Sequence, residues 1–161
     1  MFIYYYTYPN IGRVGIAECD DCICGIYWDN KEPKIFEVKE TPLIKKADAQ
    51  LKEFFAGNRK EFDLPIKFIK GTPFQREVWQ ALIDIPYGQT KSYREVAEYI
   101  GRPKACRAVG MGNHRNPISI VVPCHRVVNH GSGGLGGYAG GLDVKQFLLD
   151  LESKNLIKIE D

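Results

Sequence analysis

The sequence predicts two domains: an α/β domain over residues 1–70, with a small antiparallel sheet and one helix, and a mainly helical domain with a helix-turn-helix over residues 71–161. Short β-branched and aromatic runs separated by turn residues dominate the first 36 residues, which is typical of strands. Beyond residue 70, apolar residues recur at helical spacing behind capping signals. With 161 residues and 44% hydrophobic content, the chain can bury one sizeable core or two small ones.

The elements of the first domain follow from the runs FIYYYTY, RVGIAE and CICGIYW, which the turn signals PN, CDD and DNKEP separate. These runs predict strands of an antiparallel meander. Thr41 and Pro42 then supply an N-cap and a first-turn proline, and Gly57 supplies a stop. The sequence therefore predicts one helix on the sheet, with an apolar face formed by Leu51, Phe54 and Phe55.

Capping boxes mark the start of two helices in the second domain. Thr72 and Gln75 open TPFQREVWQALIDIPYG, and Ser92 and Glu95 open SYREVAEYIG. Gly101 breaks the second helix, and RPKACRAVGMGN then resumes helical spacing. This outline fits a helix-turn-helix, although many helical hairpins bind no DNA. The expected apolar positions are Phe74, Val78, Ala81, Leu82, Ile85, Val96, Tyr99 and Ile100, and the positions small enough for close packing are Ala105, Ala108, Val109 and Gly112.

Charge is unevenly distributed along a chain whose net charge is +2. Residues 99–142 contain no acidic side chain. Such a stretch can neutralise phosphates of a nucleic acid, and it fits an ordinary solvated basic surface equally well. Its basic residues are Arg102, Lys104, Arg107, Arg115 and Arg126.

The five cysteines are irregularly spaced, which does not fit a secreted disulfide framework. No run approaches the roughly 18 apolar residues of a membrane span, and the start lacks a signal sequence, so we expect a cytoplasmic protein with reduced thiols and no membrane association. Cys19, Cys22 and Cys24 in CDDCIC could hold a metal with one more ligand, but paired motifs and a nearby histidine are missing. We therefore expect strand-core thiols and no metal.

VVPCHRVV, residues 121–128, makes Cys124 either a buried core thiol or a nucleophile. An unperturbed thiol is only about a few per cent ionised at pH 7, so a nucleophile needs a base, and His125 is the candidate. Neighbours in an extended chain point to opposite sides, so the imidazole reaches the sulfur only through a bend or a water. Glu152, four residues after Leu148 on the last helix, is either a carboxylate that orients His125 or a surface acid.

The glycine-rich segment GSGGLGGYAGG lacks a preceding strand fingerprint and a lysine-threonine pair, so we do not expect a nucleotide-binding loop. His114 and His130 are expected at the surface or facing phosphates rather than as ligands.

The segments RAVG, NP, PCHRVV, GGYAGG and VKQFLLDLE stand in the order and near the spacing found in the O6-alkylguanine-DNA alkyltransferase family, which the chain resembles over residues 71–153. The resemblance implies a ribonuclease H-like first domain and a winged helix-turn-helix-like second domain. It implies one irreversible transfer of an alkyl group from O6-alkylguanine, or less readily O4-alkylthymine, to Cys124. No cofactor is implied, and the implied partner is double-stranded DNA, bound by a monomer through the minor groove after base flipping.

The resemblance also implies residue roles. His125 takes the thiol proton through a water, Glu152 supports the imidazolium, and Asn116 ties the active-site loop to the helix-turn-helix. Tyr93 donates to the leaving guanine, and Arg107 fills the vacated base stack. The implied DNA contacts are Ser92, Lys104, Arg107, Ala108, Gly110 and Arg115. The implied base pocket is formed by Pro123, Val127, Tyr138 and Ala139, the last at a position where many members have serine.

Two alternatives to a repair enzyme are a non-catalytic module that only recognises alkylated DNA and a cysteine hydrolase. The module would lack a reactive cysteine, and the hydrolase would turn over repeatedly without a use for Arg107.

Overall fold

The computed structural model describes residues 1–129 and 134–160, with side chains described up to residue 156. The chain forms two compact units. The first unit is Met1–Ile69 together with Pro117–Ser119, and the second is Lys70–Asn116 together with the chain from Ile120 on. A single boundary after residue 70 therefore omits one short segment, residues 117–119, which returns to the first unit.

The first unit contains a four-stranded sheet in the order β3-β2-β1-β4. Its strands are β1 Phe2–Tyr8, β2 Gly12–Cys19, β3 Cys22–Trp28 and β4 Glu37–Val38. Asp20 and Asp21 both have positive φ (51° and 59°), as the tight two-residue turn between β2 and β3 requires. The first three strands are antiparallel as predicted, and a fourth strand that the sequence did not predict, β4, pairs with β1 in parallel and makes the sheet mixed. The connection after β3 reaches the opposite edge of the sheet, and β4 therefore enters in the direction of β1.

One helix, α1 Pro42–Phe55, packs on this sheet. The Thr41 hydroxyl accepts from the Ile44 amide at 3.1 Å, which confirms the predicted N-cap. Cys19 and Cys24 are buried with Ile3 and Ala17 in a core cluster, and burial raises the pKa of Cys24 to about 12. Within the described part of the chain, no group of three His, Cys, Asp or Glu side chains is arranged to hold a metal.

The second unit is mainly helical. Both predicted capping boxes are present, at Thr72 with Gln75 and at Ser92 with Glu95. Its elements are α2 Pro73–Ile83, β5 Lys91–Ser92, α3 Tyr93–Tyr99, α4 Cys106–His114, a 3₁₀ turn Cys124–Arg126, β6 Val127–Val128 and α5 Leu142–Glu160. The two short strands pair in parallel.

Two packing predictions in this unit need correction, those for Tyr99 and Ala108. Tyr99 is 65% exposed and donates to Asp84 Oδ2 at 2.7 Å, so its hydroxyl holds it at the surface. Ile85 is buried as predicted, and it lies just beyond the end of α2. Ala108 is exposed, so close packing of α4 falls to Val109 and Gly112. Among the residues the structure describes, no helix is long and apolar enough to cross a membrane.

Candidate active site

The backbone at Cys124 turns sharply instead of continuing as a strand. Ile120 and Val122 are buried, and Cys124 begins a 3₁₀ turn in which the Arg126 amide donates to the Pro123 carbonyl at 3.0 Å. Ile120 has a φ of +73°, which is strained for a β-branched residue. The bend that an extended chain would lack is thus built into the backbone at the cysteine itself.

The Cys124 thiol is buried, with 5% of the residue exposed. Burial raises its pKa, while hydrogen bonds with the Asn116 side chain and the Tyr138 hydroxyl and the charge of Lys145 act in the opposite direction. The resting sulfur is therefore a neutral thiol that is both packed in the core and surrounded by polar groups. A base is required to activate it.

His125 is fully buried and adjoins the carboxylate of Glu152, with His125 Nε2 2.6 Å from Glu152 Oε2. Burial lowers the pKa of His125, so the imidazole is neutral at pH 7. The hydrogen-bond network assigns the proton to Nε2, because a carboxylate oxygen can only accept. Nδ1 has no hydrogen-bond partner among the described residues, so it is left as an acceptor.

Glu152 is buried between positive and neutral donors. Arg126 donates to both carboxylate oxygens, at 2.9 Å and 3.0 Å, and the Gly88 amide donates to Oε1 at 3.0 Å. Burial alone would raise the pKa of Glu152, but the hydrogen bonds from His125 and Arg126 and the charge of Arg126 outweigh it and lower the pKa to about 2. Glu152 is therefore ionised and fixed, which suits a carboxylate that orients an imidazole.

Position 88, whose amide binds Glu152, requires glycine. Gly88 has a φ of +79°, and an added Cβ would clash with the Leu156 side chain. Glycine thus allows the backbone to approach α5 closely enough for its N–H to reach Glu152.

The inclusion of Arg126 in the basic surface stretch was wrong. Only 7% of the residue is exposed, and its guanidinium also donates to the Ile85 carbonyl at 2.7 Å. Its charge is neutralised by Glu152, an acid outside the acid-free stretch. It belongs to the site rather than to the surface.

Lys145 is a second buried cation, and it was not among the residues predicted from the sequence. Its residue is 0% exposed, and Nζ donates to the carbonyls of Val127 at 2.6 Å and Gly137 at 3.1 Å. It thereby links β6, which follows the 3₁₀ turn Cys124–Arg126 (the cysteine turn), to Gly137 of the glycine-rich segment. The spacing of Lys145, Leu148 and Glu152 at i, i+3 and i+7 was an available signal, because it places all three on one helix face.

Burial lowers the pKa of Lys145 to about 8 from an ordinary 10.5. Between these values the unfolded chain binds more protons than the folded one, so this lysine makes stability rise with pH. We expect the wild-type free energy of unfolding to gain about 2 kcal/mol relative to Lys145→Met between pH 7.5 and pH 10. Urea unfolding at the two pH values measures this difference, and a difference independent of pH would contradict a buried, charged Lys145.

Two tyrosines border the cysteine turn. Tyr93 is half-buried, its hydroxyl accepts from the Gly137 amide, and an added Cβ at Gly136 would lie 2.5 Å from that hydroxyl. Tyr138 is buried and its hydroxyl interacts with Cys124. Ala139 is half-buried, whereas Pro123 and Val127 are buried. Of the predicted residues nearby, His130, Gly131 and Gly133 lie outside the described residues.

Five of the six predicted DNA contacts lie on α4 or within two residues of its ends. Lys104, Arg107, Ala108 and Arg115 are exposed, and Gly110 is half-buried. His114 is exposed on the last turn of the same helix. Ser92 is the exception, because it is 4% exposed and its hydroxyl accepts from the Glu95 amide at 3.0 Å as the N-cap of α3. The structure therefore gives Ser92 the role of a helix cap, and its contact with DNA stays a prediction.

Asn116 and Asn113 connect the end of α4 to the cysteine turn. Asn116 Nδ2 donates to the Val122 carbonyl at 2.9 Å, and Asn113 Nδ2 donates to the Cys124 carbonyl at 3.4 Å. Asn116 was among the residues predicted from the sequence, whereas Asn113 was missed.

Comparison with known proteins covers both parts of the chain. Residues 2–68 match the ribonuclease-like domain and residues 73–154 the DNA-binding domain of 6-O-methylguanine DNA methyltransferase. The constitutive methylated-DNA–protein-cysteine methyltransferase of Bacillus subtilis is 49% identical over 158 residues, covering 92% of this chain and 94% of the relative. A relative of the same name from Methanosarcina barkeri is 50% identical over 119 residues, 74% of each chain.

Solved structures show the same likeness. The crystal structure of Mycobacterium tuberculosis OGT in complex with DNA superposes with a TM-score of 0.88 at 39% identity, covering 96% of this chain and 94% of that one. The O6-methylguanine-DNA methyltransferase of Pyrococcus kodakaraensis shares the fold at a TM-score of 0.69 and 24% identity. By sequence and by fold, this chain belongs to the 6-O-methylguanine DNA methyltransferase family.

Proposed function

We propose that this protein repairs DNA by moving the alkyl group of O6-alkylguanine, and less readily of O4-alkylthymine, irreversibly onto Cys124. One observation carries the proposal: a buried thiol is followed directly in the chain by a buried, neutral imidazole whose Nε2 is held by an ionised, buried carboxylate. That arrangement can activate a nucleophile in a site from which bulk water is excluded.

The proton leaves the thiol first. A water carries it from Cys124 Sγ to His125 Nδ1, and Glu152 stabilises the imidazolium that results. The thiolate then attacks the saturated carbon of the alkyl group, a C–S bond forms, and the bond between that carbon and guanine O6 breaks. The electron pair stays on the guanine, where the Tyr93 hydroxyl donates to the developing charge.

The product explains why one protein molecule acts once. Cys124 becomes a thioether, which has no acyl carbonyl for water to attack. Water therefore does not release the alkyl group from the sulfur, and each protein molecule is consumed by one transfer.

The target base must leave the duplex to reach a buried thiol. Arg107 stands exposed on α4, where it can fill the vacated stack, and the small side chains of Ala108 and Gly110 allow the helix to approach the minor groove closely. Lys104 and Arg115 supply charge for phosphates. The protein binds in this way as a monomer.

The flipped base would lie against Tyr138, Pro123 and Val127, with the backbone amide of Ala139 facing O6. The alanine side chain adds no hydroxyl there. Recognition of O6 therefore depends on a backbone donor, which any residue except proline supplies.

The proposal is tested by counting O6-methylguanine removed from a duplex per protein molecule, with Arg107→Ala compared to the wild type. We expect removal to stop at one equivalent, and Arg107→Ala to slow duplex repair by about tenfold or more while reaction with free O6-benzylguanine is unchanged, because only the duplex requires unstacking. Arg94→Ala, on the exposed face of α3, is the matched control. Removal beyond one equivalent would indicate a hydrolase, and equal losses on both substrates would contradict the role of Arg107.

A further inference from the structure

The last turn of α4 contains a buried amide that the proposed mechanism does not use. Asn113 is 3% exposed and lies on the inward face of α4 with Val109 and Gly112. Its Oδ1 has no hydrogen-bond partner within the described chain. A buried acceptor without a partner lowers stability, so an apolar residue would be favoured here by packing alone. A polar residue retained at such a position indicates a role beyond packing.

The donor end of the same amide meets one atom of the cysteine turn. Asn113 Nδ2 donates to the carbonyl oxygen of Cys124 at 3.4 Å. That oxygen also accepts from the Val127 amide, which closes the 3₁₀ turn. A backbone carbonyl has two lone pairs, so both are occupied.

This carbonyl belongs to the peptide plane between Cys124 and His125. With donors on both lone pairs, the plane cannot rotate without breaking a hydrogen bond. Because the plane carries the Cα atoms of the nucleophile and of the base, its orientation decides where the sulfur and the imidazole point relative to each other.

Asn113 is itself held in place by its helix. Trp79 Nε1 donates to the Gly112 carbonyl at 2.8 Å, and the Asn116 amide donates to the Asn113 carbonyl at 3.4 Å. These bonds fix the turn of α4 from which the Asn113 side chain extends. Through the Asn113 side chain, the position of α4 therefore determines where the carbonyl of Cys124 is held.

We propose that Asn113 is a positioning residue that locks the peptide plane joining Cys124 to His125 and so aligns thiol and base for proton transfer. The inference rests on the proposed alkyl transfer to Cys124. Asn113 would thus affect the alkyl-transfer step, whereas Arg107, Ala108 and Gly110 on the same helix are proposed to contact only duplex DNA.

The test is Asn113→Leu, which replaces the amide with an apolar side chain of the same branching. We expect the maximal rate constant of alkyl transfer to fall about tenfold or more, equally for duplex O6-methylguanine and free O6-benzylguanine, because alignment of the thiol is common to both. The half-saturating concentrations should not change. The melting temperature should stay the same or rise, because an unpartnered acceptor has been removed.

Val109→Ala is the control, since it removes buried volume from the same face of α4 and should lower the melting temperature without lowering the rate constant. If Asn113→Leu does not fold, Asn113→Ala is measured well below its melting temperature and the same loss is expected. An unchanged rate constant, or a rate loss accompanied by a matching loss of stability, would overturn the inference. A wild-type protein that accepts no alkyl group from either substrate would instead contradict the proposed function.

Discussion

Replacing Cys124 with alanine should abolish alkyl transfer while duplex binding stays intact. The sulfur is the atom that forms the new bond, and the described site offers no second thiol within the cysteine turn. The DNA contacts proposed for α4 do not involve it. Transfer is measured as loss of O6-methylguanine from a duplex, and binding as a titration of a fluorescent duplex at fixed salt, since such affinities depend on salt.

Cys22→Ala is the matched control, because it removes a half-buried thiol from the β2–β3 hairpin and should leave transfer unchanged. Loss of duplex binding in Cys124→Ala would indicate a structural thiol. Residual transfer at the wild-type rate would place the acceptor elsewhere.

Replacing Glu152 with alanine should lower both stability and transfer. The variant leaves Arg126 buried without its carboxylate and His125 without its orienting acceptor. Breaking a buried ion pair by removing one partner costs about 3–5 kcal/mol. The imidazole would also lose its fixed tautomer, so the rate should fall at temperatures where the variant is still folded.

The stability difference should depend on pH. Glu152 has a pKa of about 2 in the folded protein against an ordinary 4.5, so the stability it contributes is present above pH 4.5 and is lost as the pH falls towards 2. Urea unfolding at pH 7 and pH 3 should show the wild type and Glu152→Ala converging at the lower pH. Asp150→Ala, at an exposed position of the same helix, should change stability by no more than about 0.5 kcal/mol. A Glu152→Ala variant as stable as Asp150→Ala at pH 7 would contradict the buried ion pair.

Local signals predicted local structure well. Thr72 with Gln75 and Ser92 with Glu95 open helices where expected, because a capping box is complete within four residues and depends little on the rest of the fold. The parallel pairing of β4 was missed for the opposite reason. Two residues, Glu37 and Val38, carry no pattern of their own, and their direction follows from the path of the preceding loop.

The contacts of the active site were also hard to predict, because they join residues that are far apart in the sequence. His125 and Glu152 are 27 residues apart, and the residues alone left Glu152 open between a surface acid and a core carboxylate. Arg126 was assigned to the surface because charge counted along the chain cannot show a partner on α5. Helical spacing places Lys145 on the same helix face as Glu152, but the residue types of a sequence do not show the backbone carbonyls to which Lys145 and Asn113 donate.

The most direct test is an intact-mass measurement after the protein is mixed with excess duplex DNA containing O6-methylguanine, followed by peptide mapping. We predict a single species with one added methyl group, located on Cys124, at an end point of one methyl per protein. An unmodified protein that has nevertheless removed more than one equivalent of O6-methylguanine, or a methyl group on any other residue, would contradict irreversible transfer to Cys124.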